Sequence, residues 1–144
     1  MQLKRLDNVG IVVQDLAPAL TFFSALGLEL EGRTAVQGDW VDGTIGLKDA
    51  RVKIAMLRTP DSQCRIELMQ FLNPVSEPPQ DATPVHACGI RRIMFTVEDI
   101  EATVATLKNH GGRVMGEIVQ YENSYKLCYV RGPEGLIIAL AQEL

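Results

Sequence analysis

Cysteine and histidine are scarce in this 144-residue chain, with three of the first and two of the second. Cys64, Cys88 and Cys128 form no C-x-x-C pair, and their number is odd. A disulfide framework or a paired-cysteine metal site is therefore not expected, and the three read as reduced, mostly packed thiols. His86 lies in a proline-rich stretch, and His110 falls near the end of a predicted helix, where an imidazole favours the negative end of the helix dipole. No basic run exceeds two residues and the formal net charge is −4, so the sequence lacks the electrostatic footprint of a nucleic-acid partner. No apolar stretch approaches the roughly 20 residues that cross a bilayer. The opening MQLKRLDNV has no apolar core of the signal-peptide kind. A cytoplasmic protein with no membrane partner is expected. Phosphate loops and G-x-S-x-G elbows are also missing.

What is present is a repeat. Residues 8–28 (NVGIVVQDLAPALTFFSALGL) and 92–112 (RIMFTVEDIEATVATLKNHGG) align with a shift of 84 positions. Val9, Ile11 and Val13 fall on Ile93, Phe95 and Val97, and this alternation predicts a strand in each copy. Leu16, Leu20 and Phe23 recur at helical spacing, as do Ile100, Val104 and Leu107. Asp15 and Asp99 stand where an N-cap carboxylate accepts from free helix amides, and Pro18 fits the first turn. Gly27 and Gly111 stand where a left-handed C-cap is needed.

Strand-like runs follow each helix, at 36–47, 52–57 and 65–71, then at 113–120, 126–130 and 136–141. The turns RTPDSQ and RGPEG separate the last two runs of each half. The pattern predicts an α+β chain of two tandem βαβββ modules, at 1–71 and 90–144. They are joined by a connector, 72–89, that holds Pro74, Pro78, Pro79 and Pro84, four of the seven prolines. A module of about 70 residues is marginal alone. Each sheet must bury its apolar face against the other module or a second chain, and a homodimer is expected. Trp40, in the long connection after the first helix, is open to reading as a lid, an interface anchor or a packing residue.

The order of these elements is similar to that of the vicinal oxygen chelate superfamily, which contains glyoxalases, extradiol dioxygenases and bleomycin-resistance proteins. The resemblance rests on the strand, the Asp-Leu, the helix with Phe-Phe, the Leu-Gly-Leu, and the RGPEG turn followed by LIIALAQ, and it spans about residues 5–142. It implies that the two modules form a curved mixed-sheet cup with helices on the outer face. In metal-using members the first and last strands of each module supply four ligands, usually histidines and glutamates, to one divalent ion that polarises vicinal oxygens.

Mapped onto this chain by the resemblance, those four positions are Asn8, Glu67, Arg92 and Ala139. Glu67 is an ordinary ligand and Asn8 a weak one. Arg92 has no acceptor, and Ala139 offers no donor atom. A divalent metal is therefore disfavoured and no other cofactor is expected. Strand alternation places Asn8, Arg65, Glu67, Met69, Arg92, Met94 and Ala139 on the inner surface. Tyr121 and Tyr125, with Tyr129, rim it. A buried carboxylate and a buried guanidinium would each need a partner, and Glu67 with Arg92 is the expected pair.

Three readings stay open. One is a metal-free, bleomycin-resistance-like binding protein for a small acidic or aromatic ligand, with Arg92 or Arg65 taking the acid. Another is a lactoylglutathione lyase-like or epimerase-like enzyme with Glu67 as general base and Arg92 stabilising the oxyanion. The third is a non-catalytic structural or regulatory dimer.

Overall fold

The computed structural model describes residues 1–78 and 83–144. Positions 79–82 of the connector, Pro79 among them, lie outside the described residues. The chain divides into two compact units, Met1–Pro78 and Pro79–Leu144.

The first unit runs β1 (Asn8–Val12), α1 (Leu16–Leu26), β2 (Glu29–Gln37), α2 (Asp39–Ile45), β3 (Arg51–Arg58) and β4 (Arg65–Asn73). Its four strands form one mixed sheet in the order β1-β4-β3-β2, with β1 parallel to β4 and the other neighbours antiparallel. The second unit runs β5 (Ile93–Thr96), α3 (Ile100–Lys108), β6 (Arg113–Val114), β7 (Val119–Tyr121), β8 (Tyr125–Arg131) and β9 (Ile137–Glu143). Its order is β5-β9-β8-β6, with β7 also paired to β8 and β5 parallel to β9. The architecture is α+β with two mixed sheets, as the repeat implies.

A parallel strand pair needs a crossover, and the helix of each module supplies it. Alternation decides which sheet face the helix covers. Ile11, Val13, Ile66 and Leu68 are buried with Phe22 and Phe23 of α1, whose rings meet edge to face at 5.5 Å. Ile138 and Leu140 are buried in the same way with Ile100, Val104 and Leu107 of α3.

The duplicated helix ends were legible. Asp15 accepts from the Ala17 amide and Asp99 from the Ala102 amide. Gly27 (φ 121°) and Gly111 (φ 86°) both take the positive φ that closes the helix turn. Leu28 and Gly112 then donate back to the carbonyls of Phe23 and Leu107, at 3.1 and 2.8 Å. Lys108 is the basic residue of the last turn of α3, and His110 follows it in the closing turn.

A second duplicated device joins α1 and α3 to their sheets. The side-chain oxygen of Gln70, on β4, accepts from the Leu16 amide at 3.0 Å, and that of Gln142, on β9, accepts from the Ile100 amide at 2.8 Å. Each glutamine satisfies a helix-start amide that has no partner within the helix, and so staples the helix to the last strand of its module.

Two predicted runs need correction. Residues 36–47 are not one strand: β2 starts earlier, at Glu29, and α2 follows it. Asp39 and Asp42 favour the start of a helix and Gly46, at φ 73°, ends it. The Asp42 carboxylate also accepts from the amides of Asp49 and Ala50, both at 2.9 Å. Trp40 lies on α2 and is exposed, which removes its reading as an internal packing residue. Residues 113–120 likewise divide into β6 and β7, with Gly116 in the gap between them. Of the cysteines only Cys128 is buried, and its burial pushes the thiol pKa up. Cys64 and Cys88 are exposed, against the expectation of packed thiols.

Replacing Gln142 by Leu should destabilise the protein by about 1–3 kcal/mol, the cost of a buried amide left without an acceptor. Gln70→Leu should behave alike, and the shift in urea midpoint measures both. Phe23→Ala removes a fully buried ring and should cost about 3–5 kcal/mol in the same experiment.

Candidate functional site

Each sheet has a face turned away from its helix, and the expected site residues lie on these two faces. In the first unit the register pairs Asn8 with Arg65, Gly10 with Glu67 and Val12 with Met69. Across the other edge of β4, Glu67 faces Met56 and Met69 faces Ile54. Gly10 leaves space here: a β-carbon on it would stand 3.0 Å from the terminal methyl of Met69. Glu67 is thus a half-buried carboxylate among methionines, and it makes no hydrogen bond or ion pair among the described residues.

Arg65 is differently placed. Its guanidinium donates to Glu31 at 2.7 Å and lies 3.9 Å from Asp7. Arg65 holds the Glu31 carboxyl below its ordinary pKa, and Glu31 in turn pushes Arg65 up. Asn8 donates its amide N–H to Asp7 at 3.0 Å, and Arg5 reaches the same carboxylate at 3.2 Å. Asp7 is lowered by these two hydrogen bonds, the one from Asn8 first. Sequence reasoning missed Glu31, because the charged start of β2 carries no apolar alternation. The consequence is that Arg65 has its anions already.

In the second unit the register runs Met94–Ala139–Tyr129 across β5, β9 and β8, then Thr96–Ala141–Leu127 beside it. Ala139 faces Met94 as Glu67 faces Gly10, so it is the counterpart of Glu67 in the second module. Arg92, one residue before β5, holds its guanidinium carbon 5.0 Å above the centre of the Tyr129 ring. It makes no ion pair among the described residues. Tyr121 and Tyr125 stand directly opposite each other on β7 and β8, rings stacked at 5.8 Å with 23° between planes. Arg131, not anticipated, donates to the carbonyls of Gly135 and Thr83, at 3.0 and 2.9 Å, and ties down the turn after β8.

The premise for pairing Glu67 with Arg92 was burial of both, and it does not hold: Arg92 is exposed and Glu67 only half-buried. An exposed guanidinium needs no buried counter-ion, and the Tyr129 ring lies against this one.

Of the four positions that the resemblance maps to metal ligands, Asn8 already donates its amide to Asp7, Arg92 offers a guanidinium and Ala139 a methyl group. Glu67 alone among them is an ordinary ligand for a divalent ion, which needs several oxygen or nitrogen lone pairs. Among the described residues no three His, Cys, Asp or Glu side chains gather as a metal cluster. No helix among them is long and apolar enough to cross a membrane.

Comparison with known proteins agrees with the architecture. The crystal structure of a glyoxalase family protein from Bacillus cereus matches with a TM-score of 0.96 and 51% identity, over 100% of this chain and 97% of that one. Two uncharacterized proteins are similar nearly end to end. YwbC of Bacillus subtilis (strain 168) is 28% identical over 92% of each chain, and YaeR of Escherichia coli (strain K12) is 26% identical over 98% of each. The model of the glyoxalase/bleomycin resistance protein/dioxygenase superfamily matches residues 7–129, and the chain belongs to that superfamily.

Proposed function

We propose that this protein binds a small organic acid without a metal, and that Arg92 is the anchor. The observation that carries this reading is the contrast between the two arginines. Arg65 is neutralised by Glu31 and Asp7, whereas Arg92 rests on an aromatic face and makes no ion pair among the described residues. A guanidinium held in this way keeps its forked donors for an incoming carboxylate. Met94, Ala139 and Tyr129 supply the apolar and aromatic lining that small-molecule sites favour. The metal-free part of the proposal rests on the donor set at Asn8, Glu67, Arg92 and Ala139.

A second reading, catalysis in the manner of an isomerase or lyase, is favoured by one observation. Glu67 is a half-buried carboxylate with no hydrogen-bonding partner among the described residues, which suits a general base awaiting a carbon acid.

Three measurements separate these readings. Elemental analysis of the purified protein should find no stoichiometric divalent metal; metal lost in Glu67→Gln overturns the metal-free reading. A thermal-shift panel of aromatic carboxylates and their amides should show stabilisation by the acids alone, worth about 2.7 kcal/mol at roughly a hundredfold excess over Kd. Arg92→Ala should weaken that binding by roughly 10- to 100-fold, the value of a charge-assisted hydrogen bond. Arg65→Ala should change it far less. Hydrogen–deuterium exchange at the α-carbon of a bound acid, abolished in Glu67→Gln while binding persists, would establish the catalytic reading instead.

A further inference from the structure

All three tyrosines of the chain lie on one face of one sheet. Tyr125, Leu127 and Tyr129 alternate along β8, and Tyr121 joins from β7 directly opposite Tyr125. The Tyr121–Tyr125 stack is exposed, 53% and 39% respectively, so its flat surfaces are not used up in a core. Tyr129 stands four residue steps along the strand from Tyr125, roughly 13 Å at the usual rise. Ala139 on β9 lies directly opposite Tyr129, and between the two tyrosines lie small or apolar side chains: Ala141 on β9, Leu127 on β8, and Val119 facing Leu127 from β7.

This strip is electrically polar. Arg92 stands over Tyr129 at one end, and Arg131, directly opposite Ile137, adds a second guanidinium on that side. Glu143 faces Tyr125 at the other end. An anion is therefore drawn to the Arg92 end and repelled from the tyrosine pair, while an uncharged ring finds its best stacking partner there.

We propose that the sheet of the second module binds an elongated aromatic monocarboxylate lengthwise, its carboxylate on Arg92 and its ring against Tyr121 and Tyr125. This rests on the reading of Arg92 as an acid anchor, and adds to it the ligand's length, direction and aromatic end. Tyr129 positions the guanidinium, and the two alanines of β9 leave the room in which the linker lies.

The test uses the full chain and three probes: 4-(1-pyrenyl)butyrate, its neutral counterpart 1-pyrenebutanol, and benzoate, with affinities measured by calorimetry. Pyrenylbutyrate should bind more tightly than benzoate, and pyrenebutanol should bind roughly 10- to 100-fold more weakly than pyrenylbutyrate. Converting Tyr121 and Tyr125 together to Ala should weaken pyrenylbutyrate by roughly 3- to 10-fold, with benzoate affinity as the internal reference. Equal binding of acid and alcohol overturns the proposal, as does a double variant that holds pyrenylbutyrate as well as the native chain does. If benzoate binds through Arg92 but the long acid gains nothing, the extended site is wrong and the acid anchor stands. If neither acid binds, both fall. The comparison of acid with alcohol needs no variant, so a misfolded variant does not rescue the idea.

Discussion

The parallel pairing of the first strand of each module with its last holds up everything else. A parallel pair cannot be closed by a hairpin, so the chain must leave the sheet, cross over and return. The helix makes that crossing and covers one face of the sheet as it does so. The glutamine staple fixes the helix start against the returning strand: Gln70 holds Leu16, and Gln142 holds Ile100. The carbonyls of Met69 and Ala141, one residue before each staple, accept from Val13 and Val97, both at 2.8 Å. One strand thus receives the end of the opening strand and the start of the helix in successive residues. The other face of the sheet is left free of the helix.

That same duplication gives two faces of opposite character. The first sheet carries closed ion pairs, Arg58 with Glu29 and Arg65 with Glu31, besides Glu67. The second carries Arg92 on a tyrosine ring and an alanine where its twin has Glu67. Corresponding positions of the two modules thus differ in charge: Glu67 on the first sheet is matched by Ala139 on the second, and Asn8 by Arg92. Arg92 lies on an aromatic surface, where a guanidinium gains ring attraction without surrendering its hydrogen bonds to solvent or ligand.

Much of this was legible in the sequence, and what was missed has physical causes. Strand alternation, Asp caps and terminal glycines each follow from local stereochemistry, so β1, α1, β5 and α3 could be read directly. The face assignments at β4 and β9 followed from period two alone. The start of β2 was missed because Glu29, Gly32 and Arg33 show no apolar pattern; their strand is made by pairing with β3, where their partners are Arg58, Met56 and Ala55. Helix α2 was read as strand because Trp40, Val41 and Ile45 suit either state, and the Asp42 and Gly46 signals are only one turn apart. The glutamine staples pair residues far apart in sequence, and no local rule finds such a bond. The fate of Arg65 was hidden for the same reason, since Glu31 lies across the sheet from it.

The last strand of each module divides its duties by parity. On β9 the even positions Ile138, Leu140 and Gln142 grip the helix, while the odd positions Ala139, Ala141 and Glu143 belong to the opposite face. On β4 the even positions Ile66, Leu68 and Gln70 grip, while Arg65, Glu67 and Met69 face away. Architecture and chemistry are interleaved along one ribbon yet separated by its thickness. A lineage built on this plan can rewrite every second letter of a closing strand, and exchange one ligand for another, while the alternate letters keep the scaffold shut.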